Sequence, residues 1–206
     1  MTAPTRDATA LLRTIASTSD RPADDVRGAG LVERIPELAD LAGVAQDAVW
    51  HPEGDVLTHS LLAMDAAASA WRSARRPDIR REVVVLAALL HDIGKPATTR
   101  LIDGRLTSRG HAEHGADLVA VLAKRAGWPA SLFRPVAAIV RTHMVTTSVT
   151  GEPSRRAVRR LEQRLLEHGA TLEEWAVVVD ADGQARAGAA IAGRSAPWME
   201  AATRGR

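Results

Sequence analysis

His91 and Asp92 stand side by side in LLHDIGKP, residues 89–96, directly after the apolar run VVVLAALL. A buried helix end can carry a lone histidine as a satisfied core residue. An adjacent carboxylate is harder to accommodate, because a buried charge needs a partner, either an arginine or a metal cation. Seven histidines are present, at positions 51, 59, 91, 111, 114, 143 and 168. Three of them fall on apolar stripes at helical spacing. His59 follows Val56 and precedes Leu62 and Ala63; His91 follows Val84, Ala87 and Ala88; His143 follows Val136, Ile139 and Val140. One such histidine would be an ordinary core residue. Three from three separate helices, joined by Asp92, point to a metal site inside a bundle, where neutral imidazoles and carboxylates project inward.

The same test finds a further carboxylate. Asp180 and Asp182 in VVDADG are both candidates, and they point about 200° apart at roughly 100° per residue. Asp182 shares a face with Trp175, Val178 and Val179, whereas Asp180 shares one with Ala176, Val177, Gly183 and Gln184. Asp182 is the better buried acid. The DAD string also mimics the paired carboxylates of nucleotidyltransferases, but no strand or glycine-serine loop accompanies it. At a helix end, unsatisfied carbonyls and the helix dipole favour a cation beside His91 and Asp92. Nitrogen and oxygen donors without sulfur suit one or two ions of Mn, Fe, Co, Ni, Mg or Zn. Such an ion makes a nucleophile of water near neutral pH, and two can grip a phosphate oxygen, so a phosphoester is a natural substrate.

The elements that must position these groups read as helices. The spacing predicts helices over 5–17, 31–41, 55–75 with Asp55 as N-cap, 81–91, 111–126, 130–144, 155–168 capped by Ser154, and 171–192 opened by Thr171. STSDRPADDVRGAG reads as a loop or linker, TTRLIDGRLTSRG as irregular with a tight turn at IDGR, and the tail GRSAPWMEAATRGR as poorly ordered with Trp198 able to dock. No strand pattern is convincing. The expectation is an all-α bundle with residues 1–30 as N-terminal helix and linker, 31–192 as the functional domain and 193–206 as tail.

Composition agrees with that expectation. Hydrophobic residues make up 46% of 206, but aromatics only 3%, so the core must be Ala, Leu and Val packed helix to helix. A net charge of +2 is weak evidence for a nucleic-acid partner. The chain has no cysteine, which excludes disulfides, thiolate zinc sites and a cysteine nucleophile. No apolar run reaches the length of a membrane span, and the N-terminus lacks a signal design, so the expected location is the cytoplasm.

HPEGDVLTHSLLAMD, LLHDIGKP, GHAEHGA and VVDADGQAR, in this order, resemble the HD-domain superfamily of metal-dependent phosphohydrolases over roughly residues 50–190. The combination is most similar to the HD domain of bacterial tRNA CCA-adding enzymes, here expected as a free-standing relative without the nucleotidyltransferase head. The resemblance implies an HD-domain helical bundle. It implies that His59, His91, Asp92 and Asp182 bind one metal. It also implies that His111 and His143 complete a second site with Asp92 bridging, with His114 able to replace His111 or stand behind it. It implies activity on a phosphomonoester or phosphodiester of a nucleotide, of 2′,3′-cyclic phosphodiesterase, 2′-nucleotidase or phosphatase type. Two other classes stay open: a di-iron HD oxygenase using the same six ligands, and a non-catalytic nucleotide- or RNA-binding module.

Lys95 is one of only two lysines, the other being Lys124, and it follows the HD pair by three residues. It is read as a catalytic and substrate-binding point charge on a phosphoryl oxygen, against a plain helix-end cation. Arg109 and His114 are candidate substrate contacts. His51 and Glu53 are placed at a cleft mouth or in a structural loop. Arg155, Arg156, Arg159, Arg160 and Arg164 form a basic helix face able to meet RNA or polyphosphate, against a solvated face paired with Glu162 and Glu167.

Overall fold

The computed structural model describes residues 3–74, 76–149, 151–191 and 193–204. Arg75 and Ala192, expected as helix ends, lie outside these. The fold is all-α. In chain order the helices are α1 Ala3–Thr18, α2 Pro22–Gly28, α3 Leu31–Arg34, α4 Pro36–Ala39, α5 Val56–Ala74, α6 Arg81–Leu90, α7 Lys95–Thr98, α8 His111–Ala126, α9 Ala130–Thr142, α10 Arg155–Leu166, α11 Leu172–Gln184 and α12 Ala196–Thr203. A 3₁₀ segment, His143–Ser148, follows α9. No helix among the described residues is long and apolar enough to cross a membrane.

The organising element is α6. Its residues from Val83 to Leu90 are all buried, as befits a helix that is hydrophobic on every side. It is flanked by α5, α9 and α11, while α8 packs on α9 and α11 on α5. The core is built of Ala, Leu and Val, with Trp175 as its largest fully buried side chain. The Trp175 indole donates to the Thr142 carbonyl at 3.1 Å, which ties α11 to the end of α9.

Two local devices set the helix registers. Thr171 and Glu174 form a capping box at the start of α11. Glu174, fully buried, also accepts from Arg80 Nε at 2.8 Å and Nη2 at 2.7 Å, so the starts of α6 and α11 are clamped together. At the start of α5, the Asp55 side chain accepts from the Thr58 amide at 2.9 Å, as expected of an N-cap.

Five expectations are corrected. The stretch read as irregular after Thr98 contains an antiparallel hairpin, Arg100–Ile102 with Arg105–Thr107. Asp103 (φ 49°) and Gly104 (φ 74°) both take left-handed conformations, as a two-residue type I′ turn requires. The polar stretch read as a linker holds α2, started by Pro22 in the first turn, where its missing N–H costs nothing. The helix expected over 31–41 is broken into α3 and α4, because Pro36 drives Ile35 into an extended conformation. The last long helix stops at Gln184 rather than 192, and the tail read as poorly ordered forms α12. Trp198 there is 3% exposed, with its ring centroid 5.8 Å from that of Trp175.

Candidate metal centre

Four histidines reach one point from four directions. His59 comes from the second turn of α5, His91 caps α6, His111 opens α8 and His143 caps α9. All four are buried, as are Asp92 and Asp182. The structure therefore brings together the six residues expected at a metal site. Asp182 is the acid that faces them, whereas Asp180 accepts from the Ser195 amide at 2.8 Å and hydroxyl at 2.7 Å and so holds the C-terminal segment.

The close approach of α8 to the HD turn explains a glycine that the sequence reading took only as a helix stop. Gly94 has an ordinary φ of −83°. A Cβ there, however, would collide with the His111 carbonyl oxygen and lie 2.8 Å from the Gly115 nitrogen. Only glycine lets the backbones of the two elements touch, and that contact puts His111 beside Asp92.

The ring nitrogens are sorted by their outer partners. Nδ1 of His91 donates to the Ala88 carbonyl at 2.7 Å, that of His111 to Ser108 at 2.6 Å, and that of His143 to Val140 at 2.6 Å. A carbonyl can only accept, so Nδ1 carries the proton and Nε2 of each neutral ring is a bare lone pair turned inward. His59 follows the same pattern with a carboxylate: its Nδ1 lies 2.7 Å from Glu53 Oε1, which also takes His51 Nδ1 at 2.8 Å.

The inward nitrogens face two aspartates. Asp182 Oδ1 lies 3.1 Å from His59 Nε2 and 3.9 Å from His91 Nε2. Asp92 turns one oxygen to each half of the cluster. Its Oδ2 is 3.1 Å from His91 Nε2 and 3.9 Å from His59 Nε2, and its Oδ1 is 3.2 Å from His111 Nε2 and 3.8 Å from His143 Nε2. Nε2 of His111 and of His143 stand 3.1 Å apart, and Nε2 of His91 is buried without a hydrogen-bond partner among the described residues. Lone pairs gathered against each other and against carboxylates repel unless a cation sits among them. His59, His91 and Asp182 form one group able to hold a metal ion, and Asp92, His111 and His143 form another. A third group of His51, Glu53 and His59 has suitable spacing too. Its shared carboxylate oxygen already takes the Nδ1 protons of both rings.

The electrostatics show buried carboxylates that draw positive charge to themselves. Burial works against charge on Asp92 and Asp182, yet both carboxyls are held well below the usual range, Asp92 mainly by His91 and Lys95 and Asp182 mainly by His59 and His91. Burial likewise opposes charge on His59, but Asp182 and Glu53 on its two nitrogens raise it to about 9. His143, without such a partner, is pushed down to about 3 by burial and by the neighbouring His91. At neutral pH His59 therefore carries a proton toward Asp182, in the place that a metal cation would take.

This floor opens into a cavity of about 810 Å³. Lys95 lines it, with its ammonium 2.7 Å from Asp92 Oδ2 and 2.7 Å from Gln46 Oε1. Arg109 lines it from an exposed position, while His114 is half-buried and is not among the lining residues. His51 lines the cavity, and Glu53 sits behind His59. On α10, Arg164 reaches the cavity, and Arg155 instead donates to the Arg204 carbonyl at 2.8 Å.

Sequence reasoning missed Gln46, Trp50, Arg186 and Arg194. Trp50, 56% exposed, stands in the cavity wall. Arg186 and Arg194 both reach Asp182, at 3.4 Å to Oδ1 and 2.6 Å to Oδ2. Arg194 arrives because the chain doubles back over α11 at Gly183, where a Cβ would collide with the Ile191 carbonyl oxygen and lie 3.0 Å from Arg194 Cδ. The QAR that ends the quoted VVDADGQAR was the available signal for Arg186.

Compared with known families, the chain matches the HD domain over residues 56–182, more than half of its length. It is 34% identical over 128 residues to a multifunctional CCA protein of Halorhodospira halophila, an alignment covering 62% of this chain and 28% of that protein. It is 32% identical over 166 residues to a multifunctional CCA protein of Methylobacillus flagellatus, covering 79% and 38% respectively. It is 34% identical over 133 residues to an A-adding tRNA nucleotidyltransferase of Deinococcus radiodurans, covering 64% and 29%. The chain thus spans well under half the length of these relatives.

Proposed function

The chain belongs to the HD domain family, and from that membership we propose that it is a metal-dependent phosphohydrolase acting on a phosphomonoester or phosphodiester of a nucleotide. The observation that carries this reading is the convergence of four imidazole Nε2 atoms on Asp92 and Asp182 at the floor of a cavity that Lys95 also lines. The donor set fits a metal: all nitrogen and oxygen, sorted in tautomer and buried with unmet lone pairs. His59, His91 and Asp182 would hold one divalent ion, and His111 and His143 a second, with Asp92 shared between them. Bound there, the metal supplies Lewis acidity and lowers the pKa of water toward neutrality.

The chain's own groups prepare the rest. Glu53 accepts a hydrogen bond from Nδ1 of His59 and fixes that ring's orientation. The carbonyls of Ala88, Ser108 and Val140 do the same for the other three rings. Lys95 places a compact positive charge where charge develops on a phosphoryl oxygen. The floor carboxylates Asp92 and Asp182 are only 3% exposed, so a charge beside them is little screened. Support for a nucleotide comes from Trp50, an exposed aromatic face at the cavity on which a base can stack. The names of the relatives, which refer to CCA and tRNA, support the same class, and with it a contact to RNA.

The test is a screen of metal-reconstituted protein against aryl phosphates, nucleoside 2′-phosphates and 2′,3′-cyclic nucleotides. Hydrolysis of none of them, by protein shown to contain metal, would sink the proposal. A mixed-valence iron spectrum with oxygen consumption would favour the oxygenase alternative permitted by the same six ligands. Tight RNA binding without turnover would favour a binding module.

A further inference from the structure

Two arginines meet Asp182, and they meet it differently. Arg194 Nη1 donates to Oδ2 at 2.6 Å while its Nη2 reaches Thr146 Oγ1 at 3.3 Å. That arginine is spent on holding one carboxylate oxygen away from the cluster. Arg186 Nη2 lies 3.4 Å from Oδ1, the oxygen that faces His59 and His91. At that length the contact is weak. Arg186 Nε is buried with no hydrogen-bond partner among the described residues, its side chain is 13% exposed, and it lines the cavity.

A guanidinium carries five donors and cannot shed its charge. Withdrawing most of one from water costs free energy that a single 3.4 Å contact does not offset, and the part of Arg186 left exposed lies on the cavity. Arg186 stands at the metal-facing edge of Asp182, and Lys95 stands at Asp92, whose Oδ2 it contacts at 2.7 Å. The cavity floor thus carries a planar fork at one carboxylate and a point charge at the other. A phosphoryl group with at least two non-bridging anionic oxygens matches that pair, since a fork binds two such oxygens in parallel.

We propose that Arg186 is a substrate-binding residue that receives the non-bridging oxygens of the phosphoryl group held over the histidine–aspartate cluster. The inference rests on the phosphohydrolase reading and names the residue that would grip its substrate. It lies outside the matched span of residues 56–182.

The test is a calorimetric titration of Mn(II)-loaded protein with inorganic phosphate, with metal content measured on the same samples. Wild-type protein binds phosphate. Arg186→Met weakens binding by roughly 10–100-fold, the scale of a lost charged hydrogen bond, with metal content unchanged. Arg186→Lys recovers part of the loss. Phosphate affinity within about twofold of wild type in Arg186→Met would overturn the inference. So would loss of metal in that variant, because Arg186 would then be a support for Asp182. Metal-loaded wild-type protein that takes up no phosphate also overturns it. Wild-type protein that takes up no metal at all is a different failure, which removes the phosphohydrolase reading beneath it.

Discussion

The carbonyl oxygen of His111 occupies the space that a Cβ on Gly94 would need. The turn that carries His91 and Asp92 and the first turn of α8 are therefore in backbone contact, and the geometry of the centre depends on one missing methyl group. Neither partner is a flexible side chain, so neither can yield cheaply. Gly94→Ala is expected to lower stability by about 1–3 kcal/mol, the usual range for overpacking. It should also separate His111 from Asp92 and reduce metal content. Gly28→Ala is the control: nothing lies within 4 Å of its added Cβ and its φ is not left-handed. That change should be neutral or stabilise by about 0.4–1 kcal/mol. Thermal melts and metal analysis of the two variants check both expectations.

Asp182 and Asp180 differ in what they hold. Asp182 Oδ1 faces His59 at 3.1 Å, while Asp180 receives the Ser195 amide and hydroxyl. Asp182→Asn should abolish metal binding and activity. Asp180→Asn keeps one acceptor oxygen, so it should cost about 0.5–1.5 kcal/mol of stability and leave most of the activity. The reverse pattern in assays of the two variants would show that the wrong helix face had been chosen.

Much of the centre was legible because its ligands sit on regular helices. His59, His91, His143 and Asp182 continue apolar stripes whose 3.6-residue period is visible without a structure. Spacing alone does not separate His111 from His114, since the choice depends on the contact at Gly94, which joins two elements through tertiary packing. Gln46 and Arg194 were not legible, because each reaches the centre from a segment whose path is set by tertiary packing, whereas Arg186 was missed although it stands only one helical turn after Asp182. The hairpin was missed for a different reason. Its strands are three residues each and mostly exposed, so they carry no alternating burial pattern, and only the Asp103-Gly104 turn gave a signal. The C-terminal helix was missed because a polar, Gly- and Pro-bearing stretch shows no helical period, although Trp198 was expected to dock and does seat against Trp175.

Glu53 is placed behind a ring rather than in the cluster. Its Oε1 accepts from His59 Nδ1 at 2.7 Å and from His51 Nδ1 at 2.8 Å. Glu53→Gln removes the charge that fixes the His59 tautomer and raises its basicity. Metal affinity should fall by roughly 10–100-fold, as is usual when the partner of a ligating histidine is lost. The measurement is competition with a metal-indicator dye. An unchanged affinity would mean that helix α5 alone fixes the ring.

Metal itself should stabilise the fold, because it binds only when all the donors are assembled. At a free metal concentration 100 times its Kd, the gain is about 2.7 kcal/mol. A chelator should lower the melting temperature of wild-type protein accordingly. The double variant His91→Ala with Asp92→Ala should bind no metal and show no response to chelator. Retention of full metal in that variant would remove the assignment.

Lys95 separates chemistry from packing. Its ammonium lies 2.7 Å from Asp92 Oδ2, and its side chain is 12% exposed while that of Asp92 is 3% exposed. It is the first residue of α7, not the end of α6, so complementing a helix C-terminus does not account for it. The packing alternative is instead the ion pair with Asp92. Removing one partner of a buried pair leaves the other uncompensated, and that typically costs about 3–5 kcal/mol. In metal-free protein Lys95→Ala should therefore melt well below wild type. In metal-loaded protein the cations compensate Asp92, so most of that deficit should vanish. Turnover should nevertheless fall by roughly 10²–10³, the scale of a lost electrostatic contact to developing charge. Metal content should stay normal, because lysine is not a ligand. Lys95→Arg should restore only part of the rate, since a planar fork does not reproduce a compact ammonium. Calorimetry with and without metal, paired with steady-state kinetics on any cleaved phosphoester, reads both effects. A Lys95→Ala enzyme that turns over at the wild-type rate when metal-loaded would reduce Lys95 to the counter-ion of Asp92, and phosphate would then be handled without it.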